Sequence, residues 1–97
     1  MDKRIRFVLN NYGYGHQLVK AKEELAECLE AITYVQEALA AGNFPLLEEA
    51  EDHLAEEIAD VGIMLDQLTL AMGKEDDRDE YREYKLERQM ARILKGE

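Results

Sequence analysis

Two long stretches of apolar residues at three- and four-residue steps, separated by a single Gly-x-x-Pro break, limit what this chain can fold into more than any other feature. From about His16 to Ala41 the series is Leu18, Ala21, Leu25, Cys28, Leu29, Ile32, Val35 and Leu39. After Pro45 it is Leu47, Ala50, Leu54, Ile58, Val61, Leu65, Leu68 and Met72, ending at Gly73. Such steps mark amphipathic helices, and Gly42-Asn43-Phe44-Pro45 stops one helix and starts the next. Gly62 weakens the second helix only slightly. The expectation is an antiparallel hairpin of two long helices.

Shorter helices are expected over residues 3–10 and 78–94. The Asn- and Gly-rich run from Asn10 to Gly15 would form a loop after the first, and the acidic run from Lys74 to Asp77 a solvated loop before the last. On that last helix Leu86, Met90 and Ile93 are expected to face the core. Strand signals are essentially absent, so the fold class is all-α, with residues 1–97 forming one domain. A chain of 97 residues sits near the lower limit for an independent core. The hairpin and its flanking helices are therefore expected to complete a helical bundle by oligomerisation, as a homodimer or homotetramer.

Charge narrows the function classes. Against 12 Lys and Arg stand 22 Asp and Glu, a formal charge of −10, which argues against binding nucleic acid or anionic membranes by phosphate neutralisation. Every apolar run is broken by charge within a turn or two, far short of the ~20 residues a membrane span needs. One cysteine, Cys28, excludes an intramolecular disulfide, and the start of the chain has no secretory pattern. The expected location is the cytoplasm.

Glu24 and Glu27 in EELAE, and Glu57 and Asp60 in EEIAD, form two pairs spaced i, i+3, so each pair projects to one side of its helix. The pairs lie almost symmetrically about Gly42, and across a hairpin the four acids would converge. In so acidic a chain each pair has a plain alternative, a solvated face. Glu57, however, falls within the apolar arc of its helix, while Asp60 and Glu24 border theirs. A carboxylate directed at a core needs a partner. Lys20 can pair with one acid and not with four. Like charges ~5 Å apart at an effective dielectric of ~20 repel by roughly 3 kcal/mol, so a divalent cation is the natural occupant. All-oxygen ligands select a hard ion, Mg²⁺ with Mn²⁺ as the alternative. A di-iron site lacks its Glu-x-x-His pairs, and an EF-hand loop is absent.

The segments YGYGHQLVKAKEELAECLEAI and EEIADVGIMLDQL resemble the MazG-like all-α nucleoside triphosphate pyrophosphohydrolases, whose hallmark is E-E-x-x-E, a spacer, then E-x-x-D. The resemblance covers residues 12–72, with a further echo in YKLERQMARI. It implies that Glu24, Glu27, Glu57 and Asp60 hold Mg²⁺. The implied reaction is hydrolysis of (deoxy)nucleoside triphosphates to the monophosphate and pyrophosphate. Glu23 matches the motif's first Glu and joins the catalytic set by that match, although its wheel position points away from the core. The spacer from Glu27 to Glu57 is long for the family.

Around the acids, Gln17 and Lys20 are candidates for substrate binding from the start of the first long helix, and Lys85 and Arg88 from the last helix. Lysine would act there as a point charge and arginine as a fork. The plain alternatives are a helix-start residue for Gln17 and a basic C-terminal end complementing the dipole for Lys85 and Arg88. His16 reads as a surface or capping residue; Tyr12 and Tyr14 could stack on a base, but loop tyrosines packing over a helix end are commoner. The rival reading for the whole chain is a noncatalytic acidic helical protein, either a DNA mimic or an assembly module.

Overall fold

A computed structural model describes residues 1–96. It is all-helical, with α1 at Lys3–Tyr12, α2 at Tyr14–Ala41, α3 at Phe44–Met72 and α4 at Glu75–Leu94, and no strand among the described residues. None of these helices is long and apolar enough to cross a membrane.

The helix ends follow local chemistry. Gly42 and Gly73 sit at φ 64° and 65°, left-handed positions where a Cβ would be strained. At these ends the N–H of Asn43 donates to Ala38 O (3.2 Å) and that of Lys74 to Thr69 O (3.1 Å), satisfying the last carbonyls of α2 and α3. Asn43 caps α3 with its side-chain oxygen, which accepts from Leu46 N–H at 3.1 Å, and Pro45 occupies the first turn.

Two expected loops are shorter than the sequence implied. Helix persists through Asn10–Tyr12 and resumes at Tyr14, so Gly13 alone separates α1 from α2. Glu75, Asp76 and Asp77 form the first turn of α4 instead of a solvated loop. Three acids at a helix N-terminus are favoured by its exposed N–H groups and dipole, which offsets their poor intrinsic propensity.

α2 packs along α3, with the ends of one meeting the opposite ends of the other: Gln17 touches Gln67, while Tyr34 and Glu37 share a groove with Leu46, Glu49 and His53. The α3-facing edge of α2 is built from Ala21, Cys28, Ala31, Val35 and Ala38. Most of these side chains are small, and the larger residues expected in the core are left outside. Leu18, Leu25, Leu29, Ile32 and Leu39, with Ile58, Leu65 and Met72, are all between 41% and 66% exposed. α1 lies on α2 and α3, burying Ile5 and Leu9. α4 touches only α3 and buries none of its described residues, so Leu86, Met90 and Ile93 are solvent-facing, contrary to expectation.

Candidate metal centre

The carboxylate cluster is built where α2 and α3 pass one another. Glu24 and Glu57 occupy positions that face across the helix pair, whereas Asp60 stands one residue before such a position and opens to solvent. One oxygen from each of Glu24, Glu57 and Asp60 lies within 4.8 Å of the other two. Glu57 is 92% withdrawn from solvent by its 8% exposure. Its Oε2 and that of Glu24 are buried without any hydrogen-bond partner. Such orphaned anionic oxygens are costly, and three converging carboxylates fit a hard divalent ion.

Glu27 is exposed and outside this tight triangle, yet it feels the cluster. The charge of Glu24, partial desolvation and the charge of Glu57 raise its carboxyl above the ordinary glutamate range, with Lys20 opposing. Lys20 Nζ lies 3.4 Å from Glu24 and 3.5 Å from Glu23, and its own pKa is raised by these acids, Glu24 foremost. Glu23 is thus an exposed ion-pair partner of Lys20 at the rim. His53 Nε2 stands 3.8 Å from Glu57 Oε1, one turn earlier on α3. The periodicity offered no reason to single His53 out, because a lone histidine among acids has no distinctive spacing.

Beside the acids a cleft of about 490 Å³ runs between the start of α2, α1 and α3. Glu24, Asp60 and Lys20 border one end of it, and Gln17, Gln67, His16 and Tyr12 the other. Gln17 and Gln67 are 3% and 1% exposed. Gln17 Nε2 donates to Gln67 Oε1 at 2.7 Å, and His16 Nδ1 is 2.7 Å from Gln17 Oε1. An amide oxygen can only accept, so His16 carries its proton on Nδ1 in this bond, leaving Nε2 as an acceptor when the ring is neutral. Tyr12 stacks on the His16 ring, centroids 5.0 Å apart. His16 and Tyr12 therefore belong to the cleft, beyond the capping roles read from sequence. Gln67 carries no local signal in the sequence, since its significance lies in a contact with a residue fifty positions away.

Lys85 and Arg88 are not brought to this cleft within one chain. Both are exposed on α4, and Arg88 lies over the Tyr84 ring at 5.7 Å. A second hollow, about 410 Å³ at the α3–α4 elbow, is lined by Thr69, Met72, Lys74, Arg78 and Tyr81 among others. Its arginine is already held by Asp66 at 3.2 Å, and among the described residues no carboxylate triangle adjoins it. Comparison with protein-family models, curated proteins and solved structures finds no match to this chain.

Proposed function

We propose that this protein is a Mg²⁺-dependent pyrophosphohydrolase of (deoxy)nucleoside triphosphates, resembling the MazG-like enzymes, built on an antiparallel helical hairpin that works as a homo-oligomer. The observation that carries the reading is the buried, unpartnered oxygen pair of Glu24 and Glu57 converging with Asp60. Surface charge explains exposed acids, and it does not explain two buried carboxylate oxygens with no hydrogen-bond partner.

Glu24, Glu57 and Asp60, with Glu27 at the rim, would hold the ion. A bound Mg²⁺ supplies charge neutralisation for the phosphate chain and lowers the pKa of a coordinated water. The residues around it divide the remaining work. Lys20, tethered by Glu23 and Glu24, offers a point charge to phosphate oxygens entering the cleft. Gln17, Gln67 and His16 give the far end of the cleft a fixed set of polar atoms against which a base edge can be read, and Tyr12 a face on which it can stack. Lys85 and Arg88 would reach substrate only from a neighbouring chain.

The test is a nucleotide panel with Mg²⁺, scored for pyrophosphate and monophosphate. Glu57→Gln and Asp60→Asn are expected to abolish release, a loss of at least 100-fold, while the helical circular-dichroism signal survives. In parallel, Mg²⁺ at 100 times its Kd should stabilise the wild type by about 2.7 kcal/mol and Glu57→Gln far less. Unchanged turnover in both variants would refute the reading. Absent turnover together with absent Mg²⁺ stabilisation would favour a noncatalytic acidic helical protein.

A further inference from the structure

The hydrogen bonds at the far end of the cleft run in one direction, and a backbone group fixes which. Gln67 Nε2 lies 3.4 Å from the carbonyl oxygen of Ile63 and 3.7 Å from Met64 Sδ. Neither atom can donate, so the amide nitrogen of Gln67, and not its oxygen, belongs on that side. Its oxygen then faces Gln17 and accepts an N–H from it at 2.7 Å. The oxygen of Gln17 is left to His16, whose Nδ1 stands 2.7 Å away and carries the proton. Reversing the chain of bonds would set Gln67 Oε1 against the Ile63 carbonyl. With both amides almost fully buried, that mismatch is costly.

The direction decides what remains for a ligand. Gln67 Nε2 is directed at Ile63 and Met64, one N–H of Gln17 is spent on Gln67, and the Nδ1–H of His16 on Gln17. What is left is a single N–H on Gln17 against three lone pairs: a second one on each amide oxygen, and that of Nε2 on the neutral His16 ring. The rest of the lining does not change this balance. Val8 and Ile63 bring no side-chain donor, the Tyr12 hydroxyl gives or accepts equally well, and Lys20 is held by Glu23 and Glu24 at the other end. An edge that fits here donates more than it accepts. Guanine offers three N–H bonds beside one carbonyl, cytosine and adenine each an amino group beside a ring nitrogen, and uracil and thymine one N–H between two carbonyls. Resting on the nucleotide reading above, we propose that Gln17 selects the base of the substrate through this acceptor-rich edge, guanine most strongly and uracil or thymine least. Gln67 is the positioning residue that fixes the sense of the array. A base that brings carbonyls instead of donors leaves buried lone pairs facing one another, which is how a polar site rejects a close analogue.

The test titrates the full chain with Mg²⁺ and the α,β-methylene analogues of dGTP, dITP, dCTP and dUTP by calorimetry, with pyrophosphate release from the parent nucleotides measured alongside. Hypoxanthine lacks only the 2-amino group of guanine, and uracil has a carbonyl where cytosine has its amino group, so each pair isolates the donors. The guanine analogue is expected to bind about tenfold or more tighter than the hypoxanthine one, and the cytosine analogue tighter than the uracil one. Gln67→Met keeps the side-chain length, removes the amide and should erase both differences. The sense of the array is read in the unaltered protein by ¹⁵N NMR of histidine in alkaline buffer, with the His16 signals assigned by their loss in His16→Ala. The neutral His16 ring should carry its proton on Nδ1. Equal affinity within either pair, a preference for hypoxanthine or uracil, unchanged differences in Gln67→Met, or a His16 ring protonated on Nε2 would each overturn the inference. Discrimination in binding without pyrophosphate release would support it and refute the hydrolytic reading, whereas release without discrimination would do the reverse. Binding of none of the analogues would overturn both.

Discussion

Glu57 concentrates the chemistry of this chain into a single residue: a carboxylate placed by helical phase between Val61 and Leu54, where solvent cannot reach its second oxygen. Its effect extends to Glu27, whose carboxyl is raised above the ordinary range first by Glu24 and then, after desolvation, by Glu57. A raised carboxyl means that the folded chain binds this proton more tightly than the unfolded chain. Without divalent ions, stability should therefore fall as pH rises through the Glu27 titration and recover as pH is lowered. Glu24→Gln removes the largest cause and should flatten that slope, as read by chemical denaturation in chelator across pH 4–7. An unchanged slope would show that the acids do not interact. The helical phase of Glu57 is legible in the sequence; the orphaned oxygens are not, because they depend on what α2 brings opposite.

At the scale of elements, caps and breaks account for most boundaries. Asn43 starts α3 through one side-chain acceptance from Leu46 N–H, so Asn43→Ala should cost about 1 kcal/mol, visible as a lower urea midpoint at constant m-value. An unchanged midpoint would mean that water replaces the cap without loss. The periodic runs were sufficient to place α2 and α3, and the glycines to end them. Which residues of each broad apolar stripe meet the other helix was not legible. Alanine and leucine count alike as apolar in a pattern, yet only the alanine edge of α2 permits close packing, and that choice leaves Leu25 and Leu29 outside. The start of α4 departs from the expected loop because an acidic run is a poor helix interior but a favourable first turn.

The whole molecule is open for its size. Its radius of gyration is 16.9 Å, against about 12.5 Å for a compact domain of this length, with α4 projecting from α3 and one side of the helix pair bare. If a second copy closes that side, the melting temperature should rise with protein concentration, by several degrees between 1 and 100 µM; a melting temperature independent of concentration would exclude coupled folding and assembly. The amino-acid sequence by itself determined the all-helical class, the helix boundaries within a few residues and the two acid pairs, because these follow from local periodicity, capping and spacing. Only the tertiary structure decided that Glu24, Glu57 and Asp60, without Glu27, form the tight group of the four acids, that Gln17 finds Gln67, and that the leucine series faces outward. The reason is physical: each depends on the rotation of one helix against another, which is set by the small side chains at their contact.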